Sequence, residues 1–201
     1  MSGQSRRAFA AGVTGLCVGL ALDACSSPAP PSPYTGDLRT VALAAAIENQ
    51  AVSAYQAVDA ALRAGKLGPA VPALTAFIRG AMAHHVQHAA TWNAILRTAH
   101  KPTISGTPLS DNAQVMSTIS GASDVAAVVS AVRRLETQAA QTYTAAIENL
   151  KGLGSAVTAA ATIAPVEAMH AAALGYVFSG QSAVADFLGT GGAVSTKALT
   201  A

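Results

Sequence analysis

Residues 48–55 read ENQAVSAY and residues 136–143 read ETQAAQTY. Each has a glutamate, a glutamine two positions on and a tyrosine seven positions on. Each glutamate is followed, 37 and 31 residues later, by a second echo: HVQHAA at 85–90 and EAMHAA at 167–172. The pattern is a duplicated two-helix unit. It sets Glu48, His85, His88, Glu136, Glu167 and His170 on the apolar faces of four helices, the arrangement of a metal site inside a four-helix bundle.

Working outward, the chain punctuates into four long helical segments. The first runs from about Asp37 to Ala64 and is broken by the GKLGP stretch at 65–69, whose glycines and proline cannot continue a helix. The second runs from about Val71 to Ala99. A polar stretch to about Gly121, with Pro102, Gly106 and Pro108, reads as a crossover. The third starts at a Ser123–Asp124 N-cap and ends at Lys151–Gly152. The fourth runs from about Ser155 to Phe178 and contains Pro165, so it either kinks there or begins near Pro165 after a separate short turn; the run AVTAAATIA before it favours a kink. Helices of about 27 residues are about 40 Å long, and two hairpins joined by one long crossover form a recognised bundle topology.

Steps of four and three along each segment select the core-facing stripe. It reads Val41, Ala45, Glu48, Val52, Tyr55, Asp59 and Leu62 on the first helix, and Leu74, Ile78, Ala81, His85, His88, Trp92 and Ile95 on the second. The third carries Val125, Val129, Val132, Glu136, Ala139, Tyr143, Ala146 and Leu150, and the fourth Ile163, Glu167, His170, Leu174 and Val177. Carboxylates in mid-stripe are buried, so they must be paired, protonated or bound to a metal. No lysine or arginine shares these stripes. The chain has four glutamates, and three lie on them; the fourth, Glu148, is off the stripe and reads as solvated. Asp59 sits near the bundle end, outside the site, and Trp92 reads as core.

Composition agrees. Half of the 201 residues are hydrophobic, 4% are aromatic, 11% are charged and the net charge is +2. Small aliphatic side chains suit closely spaced helices, and no basic stripe exists for nucleic acid. No Ser–His–Asp arrangement, phosphate loop or CxxC pair offers a competing chemistry.

On these residues the chain resembles the ferritin-like superfamily of di-metal carboxylate bundles, over roughly residues 38–178. That pattern places a Glu on one helix and Glu-x-x-His on the next, twice over. Glu48 and Glu136 match the lone glutamates, and Glu167-Ala-Met-His170 is a full second motif. His85-Val-Gln-His88 stands where the first Glu-x-x-His belongs. The chain also resembles exported bacterial ferritin-like proteins that carry an HHxxHA element. The resemblance implies a metal ion, iron or manganese. It also implies tyrosines that bond the ligand carboxylates, a role that falls on Tyr55 and Tyr143. His85 departs from the family: it replaces a glutamate that usually bridges two metals. Three carboxylates and three imidazoles favour a mononuclear or asymmetric site and admit zinc or copper. His84 is rotated about 100° around the helix from His85, and the sequence leaves open which of the two faces the site.

The first 36 residues read as a targeting segment and tether. Arg6–Arg7 before the apolar stretch Ala8–Leu22 is similar to a twin-arginine export signal. Leu22-Asp23-Ala24-Cys25 is similar to a lipobox, with Asp23 off pattern, which gives cleavage before Cys25 and lipid on its sulfur. Residues 1–24 are then a signal peptide and 25–36 a lipidated, Pro/Ser-rich tether. Residues 37–178 form the bundle, and 179–201, rich in Gly, Ser and Thr, a loosely ordered tail. The expected location is the outer face of the cytoplasmic membrane, as a monomer or dimer rather than a cage. Three function classes follow: a redox enzyme using dioxygen or peroxide, a non-catalytic metal-binding envelope protein, and a metal-free bundle with a vestigial site that binds a protein or apolar ligand.

Overall fold

The computed structural model describes residues 32–180 and 189–201. The signal segment, Cys25 and the tether as far as Pro31 lie outside the described residues. Five α-helices follow in order: α1 (Asp37–Arg63), α2 (Pro72–Thr98), α3 (Asn112–Ser120), α4 (Val125–Asn149) and α5 (Gly154–Ser179). A 3-10 turn covers Thr196–Ala198. No strand occurs among the described residues; a single antiparallel bridge joins Leu109 to Leu199.

The ends of the long helices have local causes. Asp124 caps α4 by accepting the Ala127 N–H at 2.8 Å, satisfying one of the donors a helix start leaves free. Pro72 opens α2 at its first turn, where a missing N–H costs nothing. α2 closes with His100 in the left-handed region, φ 55°, and the Lys101 N–H turned back to Leu96 O at 2.9 Å. α5 continues through Pro165 as one helix instead of starting there. By length and composition α5 could cross a membrane, yet its Glu167 and His170 face the protein core.

α1 packs on α2 and α4 on α5 as two hairpins, with α1 also against α4 and α2 against α5. The buried run Val41–Ile47 is mostly alanine, which lets neighbouring helices approach closely. The apolar interior is divided into two clusters. One gathers Val41–Ile47, Trp92, Leu96, Tyr143, Ala160 and Ile163; the other gathers Ala51, Tyr55, Ile78, Ala81, Val132, Leu135 and Leu174. On every long helix the Glu and His positions fall between them. A polar layer is thus sealed from both ends by apolar side chains, the Val, Leu and Ile among them each contributing about 1.5–3 kcal/mol through burial.

Two expectations are corrected. The crossover is not without structure: α3 packs on α1 and α4, with Ile119 buried. The crossover's first part is clasped by Asn93, whose amide takes Ile104 O at 2.9 Å while its carbonyl accepts Ile104 N–H at 2.8 Å. Nor are residues 189–201 loose. Leu199 is buried, Arg39 donates to Thr196 O and Leu199 O, both at 3.1 Å, and the Val194 N–H donates to Thr142 Oγ1 at 2.8 Å. Gly, Ser and Thr give this segment no helix or strand of its own, but side chains from α1 and α4 satisfy its backbone. The last tether residues also join the domain: Tyr34 is buried and donates to Pro102 O at 3.0 Å.

Candidate metal centre

A single glutamate on α1 and on α4, and a pair three residues apart on α2 and on α5, bring the six donors to one level of the bundle. Glu48, His85, Glu136, Glu167 and His170 are buried, and His88 is nearly so. His85 lies between two carboxylates, its Nδ1–H donating to Glu48 Oε2 at 2.7 Å and its Nε2–H to Glu136 Oε1 at 3.0 Å. His88 Nδ1 donates to Glu167 Oε1 at 2.7 Å. His170 Nδ1 lies 3.3 Å from Glu167 Oε2 and 3.4 Å from Glu136 Oε2. All six residues chosen from the sequence therefore meet, and His85 rather than His84 occupies the interior. His84 is exposed, with its Nδ1 3.0 Å from His170 Nε2.

The tyrosines cross over between the repeats. Tyr143 donates to Glu48 Oε1 at 2.6 Å, and Tyr55 donates to Glu136 Oε1. Seven residues separate each tyrosine from its own glutamate, about 10 Å along the axis, too far for contact. α1 and α4 run antiparallel, so the same offset on the neighbouring helix returns to the level of the partner's carboxylate. Asp59 stands apart, paired with Arg63 at 3.0 Å and Arg79 at 2.9 Å, and Glu148 is exposed. The stripe reading missed Phe77, whose ring packs edge-on against His170 at 5.8 Å; it sits one position off the selected stripe.

Burial and charge compete at every group. Burial pushes Glu48 and Glu136 upward, but the adjoining imidazoles, by hydrogen bond and charge, outweigh it and hold both below the usual carboxylate range. Glu167 goes the other way, up to about 7, through burial and the Glu48 charge. Burial lowers His88 and His170, yet hydrogen bonds to carboxylates carry both up to about 9. His85 is likewise raised, the Glu136 and Glu167 charges overcoming its burial. Burial and the facing carboxylates keep Tyr55 and Tyr143 protonated. Without a metal, three carboxylates and three imidazoles neutralise one another, with protons in the positions cations would take.

The donor set fits a metal. Glu48, His85, His88 and Glu167 form one group, and His85, Glu136, Glu167 and His170 a second; within each, the ligand atoms lie within 4.8 Å of one another. Ligands about 2.0–2.3 Å from a shared ion fall within that span. The groups share His85 and Glu167; His85 turns Nδ1 to Glu48, which is in the first group only, and Nε2 to Glu136, which is in the second only.

A family model described as a ferritin-like domain matches residues 61–179, which takes in His85, His88, Glu136, Glu167 and His170 and leaves Glu48 on the preceding part of α1. No curated protein and no solved structure matches the chain.

Proposed function

The chain belongs to the ferritin-like family, and from that premise we propose that it is an exported, membrane-anchored metalloprotein whose bundle core binds transition metal and uses it in redox chemistry with dioxygen or peroxide. The observation that carries this reading is the convergence of six metal-ligating side chains, five of them buried, between two apolar clusters, where carboxylates must be paired, protonated or bound to a metal.

Iron or manganese bound there would supply one-electron exchange with dioxygen or peroxide. The chain's own groups prepare the place. Glu48 and Glu136 are held ionised; Tyr143 fixes Glu48 Oε1 while Oε2 faces His85, and Tyr55 shares Glu136 Oε1 with His85 while Oε2 faces His170. His88 and His170 must give up their protons to ligate. Glu167, at about 7, can take or release a proton at its carboxylate near neutrality. The two apolar clusters exclude water from both ends. A second reading, sequestration without catalysis, is favoured by the imidazole at position 85, because a nitrogen-rich set also suits zinc and copper.

Elemental analysis of protein purified without added metal, beside a Glu48→Ala/His88→Ala variant, tests the core. No bound metal and no uptake of Fe(II), Mn(II), Zn(II) or Cu(II) would sink both readings; uptake without oxygen consumption would leave sequestration. Export and anchoring rest on the Arg6–Arg7 and Cys25 motifs. Lysine at both arginines should trap the precursor inside, and Cys25→Ser should release the domain from membranes.

A further inference from the structure

The core reading leaves His84 without a role. It is exposed, yet its Nδ1 lies 3.0 Å from His170 Nε2, and the two rings are nearly parallel, 5.2 Å apart at 11°. His170 therefore has two different faces. Nδ1 looks inward to Glu136 and Glu167, and Nε2 looks outward to His84. We propose that His84 and His170 form an outer dihistidine station that captures a divalent transition-metal ion from solvent and passes it through the His170 ring to the core.

Three features of the pair support a metal. Two nitrogens 3.0 Å apart, each about 2.1 Å from one ion, subtend about 90° there. That is the angle between neighbouring ligands in the tetragonal sites of Cu(II) and Ni(II). A tetrahedral Zn(II) needs the pair to open by only about 0.4 Å. The inward Nδ1–H of His170 rests on carboxylate oxygens, the backing that strengthens a ligating imidazole on its other nitrogen. And a neutral imidazole has one N–H and one lone pair, so His170 serves one side at a time. With the core empty, Nδ1–H stays on the carboxylates, and the outer ion takes the place of the Nε2 proton, which leaves to solvent. Once the core is loaded, Nδ1 ligates and Nε2–H donates to His84. Outer and inner occupancy of His170 therefore exclude each other. Two protein ligands leave the rest of the coordination sphere to water, so the station exchanges its ion readily.

The destination of the ion rests on the core being a metal centre; the capture does not. The test mixes metal-free full-length protein with CuCl2 or CoCl2 and follows loading by stopped-flow absorbance, with the Cu(II) spin-resonance spectrum at less than one equivalent. In the unmutated chain the first copper should show two nitrogen ligands. His84→Ala should lose that signal and load the core at least about tenfold more slowly, with the final metal content and the melting temperature unchanged. His100→Ala, just past the end of α2 and about 24 Å along its axis from His84, should change none of these. Equal loading rates in His84→Ala would overturn the proposal, as would a lower final content, which would make His84 a support of His170 only. One two-nitrogen copper per chain that depends on His84, with an empty core, would uphold the station and refute the core centre. No bound ion anywhere would refute both.

Discussion

Replacing His85 by alanine removes the cation that sits between Glu48 and Glu136, 2.7 and 3.0 Å from their oxygens. Glu48 would keep Tyr143 at 2.6 Å and the more distant His88 at 3.6 Å, and Glu136 would keep Tyr55 and His170 at 3.4 Å, but no cation would remain between the two buried carboxylates. Breaking a buried ion pair from one side costs about 3–5 kcal/mol, because a charge is left uncompensated. Against a total of about 5–15 kcal/mol for a domain, that is about a fifth of the stability or more. At roughly 2–4 °C per kcal/mol the melting temperature should fall by about 6–20 °C. His85→Leu, which keeps most of the volume, should lose nearly as much, which assigns the loss to charge rather than to a cavity. The assay is urea unfolding of chelator-treated protein, followed by far-ultraviolet circular dichroism, at several pH values. The pH dependence fixes the sign. In the native chain Glu48 and Glu136 are lowered, so their contribution is present above the unfolded carboxylate value and is lost as pH falls. Without His85, burial wins and both rise. The folded variant then binds more protons than the unfolded chain, and its stability falls as pH climbs from about 5 to 8. The deficit should therefore be larger at pH 8 than at pH 5. A loss below about 1 kcal/mol at pH 7, or a deficit that does not change with pH, would refute the described electrostatics.

Tyr143→Phe removes one charge-assisted hydrogen bond to Glu48 and should cost about 1.5–3 kcal/mol in the same assay; Tyr55→Phe should match it at Glu136, since the two sites are related by the repeat. His88 and His170, at about 9, are protonated at neutral pH and must deprotonate to ligate, so Zn(II) affinity should rise steeply from pH 6 to 9. Titration calorimetry in buffers of different ionisation enthalpy should show proton release, and a flat profile would contradict the raised values. Deleting residues 189–201 uncovers the Leu199 site and strands the Arg39 donors. It should destabilise the bundle by about 2–4 kcal/mol, read by urea unfolding, where an unchanged midpoint would argue against docking.

The helices were legible because their limits are written locally. Glycine and proline at 65–69, proline at 102 and the Asp124 cap stop or start a helix whatever surrounds them. The donor layer was legible because a carboxylate in an apolar stripe violates the periodicity around it, and the duplication repeats the violation. α3 was missed because nine residues with one buried side chain, Ile119, carry too little pattern. The docked tail was missed for a related reason: its hydrogen-bond partners, Arg39 and Thr142, lie far away in the chain, and nothing within 189–201 announces them.

The sequence by itself determined four amphipathic helices, their order, and the six side chains that share a core-facing stripe, since a 3.6-residue period and turn chemistry are properties of neighbouring residues. Tertiary structure alone decided which of these groups touch. The seven-residue spacing puts Tyr55 on the face of Glu48, but only the antiparallel approach of α1 and α4 gives Tyr55 to Glu136 and Tyr143 to Glu48. Periodicity only set His84 about 100° around the helix from His85; the tertiary structure put His85 inside and His84 against the outer nitrogen of His170. Pairing across helices depends on distances between chain segments that no local pattern encodes.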